Sequence, residues 1–444
     1  MMTSPSNKPD RKPSLDPDVQ REFAVEIVRQ LRDAGFTALW AGGCVRDHLL
    51  GKTPKDFDVA TNATPDQVRR IFRGRKTLDV GASFGVIIVV GSKRAGQVEV
   101  ATFRSDGLYS DGRRPDSVIF SSPEEDARRR DFTINGMFFD PLEHKVLDFV
   151  GGESDLTQGY IRAIGDPHER MQEDKLRLLR AIRFTAHLEF GIARATKAAI
   201  TEMAPQIHVV SAERIAAELR RMLTDQHRHM AIALADEVGL LRELLPEVNV
   251  QSAGSAGFRD DEPGQQKPVI ATSEILSPQL VALRLLQGPS FELAFAVLLR
   301  DVTNVVAICR RLKLSNEELE KTAWLVQQQD ALSEPEKLSL AQLKRLLAHP
   351  FRDDLLALMR ATLLATSADL RPVLFCEKFL ATTPPEVLNP PPLVTGNDLI
   401  ALGLKPGPRF KQLLDQVRDA QLNGELTQRD AAMNWVHAML ESAR

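Results

Sequence analysis

Cysteine is scarce: three in 444 residues, Cys44, Cys309 and Cys376, far apart and odd in number. That excludes a disulfide framework and a Cys-x-x-Cys metal knuckle, and it makes the reducing cytoplasm the expected location. Excess positive charge is missing too. The formal net charge is −3, so any contact with nucleic acid must come from local patches. No run of about 18 apolar residues occurs, so neither a transmembrane helix nor a membrane partner is expected. The opening stretch MMTSPSNKPDRKPSLDPD has no apolar core. Residues 1–17 therefore read as a polar, disordered tail rather than a signal peptide.

What remains is ordinary globular composition, 43% hydrophobic and 26% charged, with length for two to four domains. Asp16-Pro17 is an N-cap and first-turn pair, and the spacing of Ala24, Ile27, Val28 and Leu31 predicts a helix that Gly35 stops. Thr37–Ala41, Asp56–Ala60, Phe84–Val90, Gln97–Phe103 and Val146–Val150 read as strands, and Thr64-Pro65 opens a helix through Phe72. Beyond about residue 165 the strand signals fade. Residues 169–190, 211–223, 228–245, 290–300, 316–331, 339–348, 352–366, 410–421 and 428–442 read as helices. Residues 249–268 form a Gly/Ser/Asp-rich loop, and 383–393, with five prolines, a hinge or strapped connector.

The chemistry concentrates early. Asp56 and Asp58 follow the Gly42-Gly43 turn in Trp40-Ala-Gly-Gly-Cys-Val-Arg46. In a strand they would share a face, which makes a hard oxygen site for Mg²⁺, while the glycines let backbone N–H groups approach an anion. Glu99, in the run Gln97-Val-Glu-Val-Ala-Thr-Phe-Arg104, is a candidate third carboxylate or else an outward polar residue of an alternating strand. Residues 105–116 read as a lid or a plain connector. Arg128-Arg-Arg-Asp-Phe-Thr-Ile-Asn135 offers guanidinium forks for phosphate or a solvated charge run. Asp148–Leu156 carries a second Gly-Gly turn, consistent with close backbone approach to a ligand. Arg69, Arg73 and Arg75 form a basic run that holds RNA or merely ends an amphipathic helix.

Asp174 and Arg177 stand three apart in a predicted helix. In isolation that is a surface ion pair. It also suits a base edge: a carboxylate accepts from the amino group of cytosine or adenine, and a guanidinium donates to the adjacent ring nitrogen. Uracil and guanine present the reverse pattern. Such a pair accepts CTP and ATP and rejects UTP and GTP.

In this order the motifs resemble those of the class II tRNA nucleotidyltransferases and the related bacterial poly(A) polymerases. The match runs from Ala41 to about Leu219 and ends in Ser211-Ala-Glu-Arg-Ile-Ala-Ala-Glu-Leu219, with a further likeness at Leu393–Pro408. The resemblance implies an α+β protein. A polymerase-β-like nucleotidyltransferase head (18–155) would be followed by a helical neck (156–225), body (226–382) and RNA-binding tail (383–444). It implies Mg²⁺ on Asp56 and Asp58 with Glu99 catalytic beside them. It implies nucleotide contacts from Gly42, Gly43, Arg46, Arg104, Arg130, Asp131, Asn135, Asp174, Arg177 and Arg180. The expected partners are tRNA, CTP and ATP, with no DNA.

Gly81-Ala-Ser-Phe-Gly-Val86 departs from the Gly-Arg-Arg-Phe run usual in poly(A) polymerases. Arg300, in Leu298-Leu-Arg-Asp301, stands where a phosphohydrolase His would be, so that activity is not expected. Full CCA addition is the leading reading. A-only or poly(A) addition, and a non-catalytic RNA-binding protein on an inactive head, are the alternatives.

Overall fold

A helix and a strand in succession open the described chain, as the sequence predicts. The computed structural model describes residues 15–81, 85–106, 118–250 and 276–441. Helix α1 (Pro17–Asp33) begins where the Asp16 carboxylate accepts the amide hydrogens of Asp18 at 3.1 Å and Val19 at 3.3 Å. Gly35, at φ +87°, ends it. Strand β1 (Ala38–Ala41) is buried along its whole length, and the Phe23, Ala24, Ile27, Val28 and Leu31 face of α1 is buried.

After β1 come α2 (Gly43–Leu49), β2 (Asp58–Thr61), α3 (Pro65–Ile71), β3 (Thr77–Gly81), β4 (Val86–Val90), β5 (Gln97–Thr102), β6 (Arg104–Asp106), β7 (Val118–Phe120), α4 (Pro123–Arg128), β8 (Phe138–Asp140), β9 (Lys145–Leu147) and α5 (Gly152–Gln158). The main sheet runs β3-β4-β5-β2-β1-β8-β9. Every adjacent pair is antiparallel except β2 and β5, which run parallel with Asp58 opposite Glu99. Leu39, Ala41, Ala60, Phe103, Ala127 and Phe138 form a core of this sheet domain.

Three expectations change here. Asp56 lies in a bend before β2, not in the strand, although exposed Asp56 and Asp58 still alternate with buried Phe57 and Val59. In the second Gly-Gly turn the close approach at Gly152 is to protein, since a Cβ there would lie 2.3 Å from the Thr133 carbonyl oxygen, while nothing lies within 4 Å of a Cβ on Gly151. The helix expected over 169–190 breaks. It becomes α6 (Pro167–Glu173) and α7 (Leu176–Leu188), after a short β10 (Tyr160–Ile161). Asp174 sits at the break with extended backbone, φ −148°. Its Oδ1 accepts the Leu176 amide hydrogen at 3.0 Å, a side-chain turn that competes with helix continuation.

Beyond β11 (Gly191–Ile192) the chain is helical: α8 (Arg194–Met203), α9 (Ala212–Leu223), α10 (Arg228–Glu237) and α11 (Leu240–Leu244), the last two parted by Gly239 at φ +82°. Then follow α12 (Pro278–Leu285), α13 (Phe291–Leu298), α14 (Val305–Arg311), α15 (Asn316–Gln328), α16 (Leu340–Leu347), α17 (Arg352–Ala365), α18 (Arg371–Thr382), α19 (Pro385–Leu388), α20 (Gly396–Ala401), α21 (Pro408–Asn423) and α22 (Arg429–Glu441).

The described chain forms two compact units. One holds residues 15–218 and 234–244, the other 219–233, 245–250 and 276–441. In the second, the proline-rich connector is strapped down: Arg418 donates to the Pro390 carbonyl at 2.7 Å and Gln421 to that of Pro391 at 2.7 Å. The expected loop 249–268, apart from 249–250, and most of the expected lid, 107–116, lie outside the described residues.

Candidate active site

Parallel pairing of β2 with β5 sets the centre of the site. Asp58 and Glu99 face each other in register, both exposed, Asp58 between buried Phe57 and Val59 and Glu99 between buried Val98 and Val100, which fixes the face each takes. Protein crowds Asp58 enough that desolvation, together with the charges of Glu99 and Asp56, pushes its carboxyl up to about 6, against a downward pull from Arg130. A carboxylate held among like charges is a donor set short of a cation. No three-residue group of metal-ligating side chains occurs among the described residues. A Mg²⁺-type ion does not need one, since it binds one or two carboxylates and completes its shell with substrate phosphate and water. The residues present therefore fit such an ion.

Gly42 joins β1 to α2 in the left-handed region, φ +72°, and a Cβ there would stand 2.7 Å from Nη1 of Arg130. Glycine at this position is what lets the arginine lie against the turn. Arg130 Nη1 also donates to the Asn135 carbonyl at 3.3 Å, and Arg130 Nη2 donates to Asp126 at 2.9 Å. Buried Asp126 binds Arg129 as well, which its carboxylate reaches at 2.7 Å. Two of the three arginines in the Arg128–Arg130 run are thus held by one carboxylate, while Arg128 pairs with Glu124 on the surface at 2.6 Å. The amide of Arg104 is tied to the same Asp126 at 3.3 Å.

A polar chain continues from there. Arg46, buried, donates through Nη1 to Asn135 Oδ1 at 2.8 Å and through Nη2 to Asp47 at 2.7 Å. Asn135 Nδ2 donates to Asp131 Oδ1 at 3.1 Å. Arg180 on α7 donates to Asp131 Oδ2 through Nε at 2.8 Å and Nη2 at 2.5 Å. Burial works against the Asp131 charge, but Arg180 and Asn135 overcome it and hold the carboxyl at about 2. The Phe184 ring ties the cations together, with Arg46 and Arg180 each 5.3 Å from its centroid and Arg183 at 4.1 Å.

The Asp174–Arg177 pair expected on one helix face does not form. Asp174 instead takes both terminal nitrogens of Arg214 on α9, at 3.1 and 2.6 Å. Arg177 turns to Glu173 and to the backbone carbonyls of Arg170 at 2.7 Å and Arg129 at 3.2 Å. Arg214, Glu173, Asp126 and Asp47 escaped the sequence reading as site residues. Signals for two were present: Arg214 lies in the Ser211–Leu219 run, and Asp126 precedes Arg130 by one helical turn.

Of the basic run that begins on α3 and continues past its end, Arg69 is paired with Asp66 and Asp79. Arg75 reaches Glu26 at 2.6 Å and the Phe23 ring at 5.1 Å. Arg73 is exposed.

Residues 38–162 match the model of the poly A polymerase head domain, and 189–251 match that of the probable RNA and SrmB-binding site of polymerase A. A CCA-adding enzyme of Enterococcus faecalis is 38% identical over 304 residues, covering 67% of this chain and 73% of that protein. One of Geobacillus kaustophilus is 32% identical over 414 residues, 91% of this chain and 93% of that protein. The crystal structure of the Bacillus stearothermophilus CCA-adding enzyme in complex with CTP superposes with a TM-score of 0.71 at 28% identity, spanning 95% of this chain and 99% of that one. With a sheet that sets paired carboxylates beside a glycine turn and an arginine network, and with relatives alike over 73% to 99% of their own length, the chain belongs to the CCA-adding enzyme family of nucleotidyltransferases.

Proposed function

We propose that the chain adds C and A nucleotides to the 3′ end of tRNA from CTP and ATP, with release of pyrophosphate, in the cytoplasm. The single observation that carries this is Asp58 beside Glu99 on adjoining parallel strands, with Asp56 two residues ahead. The CTP complex of the B. stearothermophilus relative supports the nucleotide, and family membership supports tRNA as acceptor. No helix among the described residues is long and apolar enough to cross a membrane.

Enzymes of this type depend on a metal ion. Asp56 and Asp58 would hold it here, and when bound, a Mg²⁺-type ion makes the attacking hydroxyl more acidic and offsets charge on the triphosphate. The rest is the work of this chain's own groups. Gly42 gives the triphosphate close access to the backbone. Arg46, Arg130 and Arg180, each oriented by a carboxylate, supply positive potential without being free to wander. Asp131 and Asn135 fix Arg180 and Arg46 relative to each other. Glu99 acts beside Asp58 as the third carboxylate.

Asp174 and Arg177 read the base. For that, Asp174 offers its carboxylate while Arg214 keeps it aimed, and Arg177 is held by Glu173. Gly43 and Arg104 serve the nucleotide, and exposed Arg73, with Arg69 and Arg75, the RNA. The units of function are a head over 18–155, a neck over 156–225, a body over 226–382 and a tail over 383–444.

The test is incorporation of labelled CTP or ATP into tRNA ending at position 73, after C74–C75, or complete. Two C residues and then one A support the reading. A alone on the second substrate, or an A tail on other RNAs, would replace it with A-only or poly(A) addition. Failure on all three would leave only an RNA-binding role.

A further inference from the structure

A second cluster of cations lies in the other unit, remote in sequence from every carboxylate discussed above. Helices α16 and α21 are joined there: Asn423 Oδ1 accepts the Ala341 amide hydrogen at 2.8 Å, and Lys344 Nζ donates to the Leu422 carbonyl at 2.9 Å. Between them and the chain from α15 and α19 is a cavity of about 410 Å³, lined by Lys344, Arg345, Arg418, Asn389, Trp324 and His349 among others. That size suits a small ligand.

The charges around it do not balance. Arg345 is met by Asp419 at 2.6 Å and Asp415 at 3.6 Å. Lys344 and Arg418 have no carboxylate partner among the described residues; their acceptors are carbonyl and amide oxygens. Lys344 is 7% exposed. A buried ammonium with one neutral acceptor is costly unless an anion compensates it. Burial, and then the nearby Arg418 charge, pull the Lys344 amine below its ordinary range, while burial and Arg345 do the same to Arg418. The three cations feel one another across one space.

The donors around this cavity are of kinds that suit oxyanions. Asn389 gives its amide oxygen to Arg418 at 2.6 Å, which leaves its NH₂ group to donate. The wall beside it is flat and aromatic: the rings of Trp324 and His349 stack at 3.9 Å with planes 7° apart. An ammonium, a guanidinium and an amide on three elements, beside a flat aromatic wall, match the several oxygens of a tetrahedral oxyanion better than the two of a carboxylate.

We propose that this cavity binds a phosphate group through Lys344, Arg418 and Asn389. The group comes free in solution or from an RNA backbone; the second source alone rests on the function proposed above.

The experiment uses the full chain. Sodium phosphate should raise the unfolding midpoint above sodium chloride of matched ionic strength. Lys344→Met and Arg418→Gln should each lose most of that increment, and Arg418→Lys should keep part of it. In the unmutated chain, phosphate should shift the emission of Trp324, a response that Trp324→Phe removes; this readout stands even if the cation variants fold poorly. Binding of tRNA, measured across salt concentrations, separates the sources. A several-fold loss of affinity in Arg418→Gln, with the log–log salt slope smaller by roughly 0.7 to 0.9, assigns the phosphate to RNA. Unchanged tRNA affinity with a lost phosphate increment assigns it to a free anion. Folded variants that keep the whole increment, or a phosphate response that survives Trp324→Phe unchanged, overturn the site. Nucleotide incorporation by the unmutated chain is scored separately, so a failure of the function is not mistaken for a failure of the cavity.

Discussion

Asp174 and Arg214 form a two-pronged ion pair, with both terminal nitrogens of the guanidinium on the carboxylate at 3.1 and 2.6 Å. Asp174 reaches that partner because it breaks the helix: extended backbone turns its side chain out of the α6 line and toward α9. The carboxylate proposed to read the base is therefore held from outside its own segment.

Arg214→Met should lower kcat/KM for CTP and ATP about tenfold or more, the scale of a charge-assisted bond left unmade. Arg214→Lys should recover only part, because an ammonium cannot grip both oxygens. Asp174→Ala should slow CTP and ATP and admit UTP or GTP. A four-nucleotide incorporation assay on tRNA lacking its CCA end checks all three. Strict CTP and ATP choice in every variant would confine the pair to a structural role.

Asp58→Ala should abolish incorporation while tRNA affinity stays within about twofold, since the proposed RNA contacts are elsewhere. Filter binding and primer extension read the two effects apart. Substantial turnover in this variant would contradict the assignment.

Gly42→Ala should be destabilising by roughly 1–3 kcal/mol. The backbone is in the left-handed region and the new methyl would meet Arg130 Nη1 at 2.7 Å. Thermal unfolding measures the loss. Activity should fall further than stability explains, because Arg130 must move. Gly51→Ala is the control: it shares a positive φ of +67° but nothing lies within 4 Å of its Cβ.

Asp131 titrates at about 2 instead of its ordinary 3.8. A lowered carboxyl contributes stability that is fully present above its unfolded value and lost as pH falls through the folded one. The Asp131–Arg180 contribution, on the order of 2 kcal/mol by linkage, should thus hold above about pH 4 and fade between about 4 and 2. Asp131→Asn should be less stable than the parent at neutral pH, and the gap should narrow on acidification. A gap independent of pH would mean that the charge is not what matters.

Much of the sheet domain was legible because local signals agreed with the tertiary outcome. Asp16-Pro17 and Thr64-Pro65 cap helices where expected. The alternation in Gln97–Thr102 places Glu99 outward as its pattern implies. Strands β3 and β8 were not read: β3 offers only two apolar residues, Leu78 and Val80, and β8 is three residues long with two adjacent phenylalanines, so pairing with neighbours is what makes them strands. The break at Asp174 was missed for a related reason. Leu176, Leu178, Leu179 and Ile182 continue a helical rhythm, which hides a carboxylate that prefers its own backbone and a distant guanidinium. Partners such as Arg214 and Asp126 are set by folding across many residues, and sequence order alone does not select them.

The parallel pairing of β2 with β5 also bears on when activity can arise. Antiparallel neighbours can be joined by a tight turn, but a parallel pair needs a long crossover. Here that crossover carries α3 and the β3–β4 hairpin. Asp58 and Glu99 therefore meet only after an entire intervening substructure has docked. Contacts of such long sequence separation form late and slowly. A nascent chain leaving the ribosome would thus carry both carboxylates before the two stood side by side.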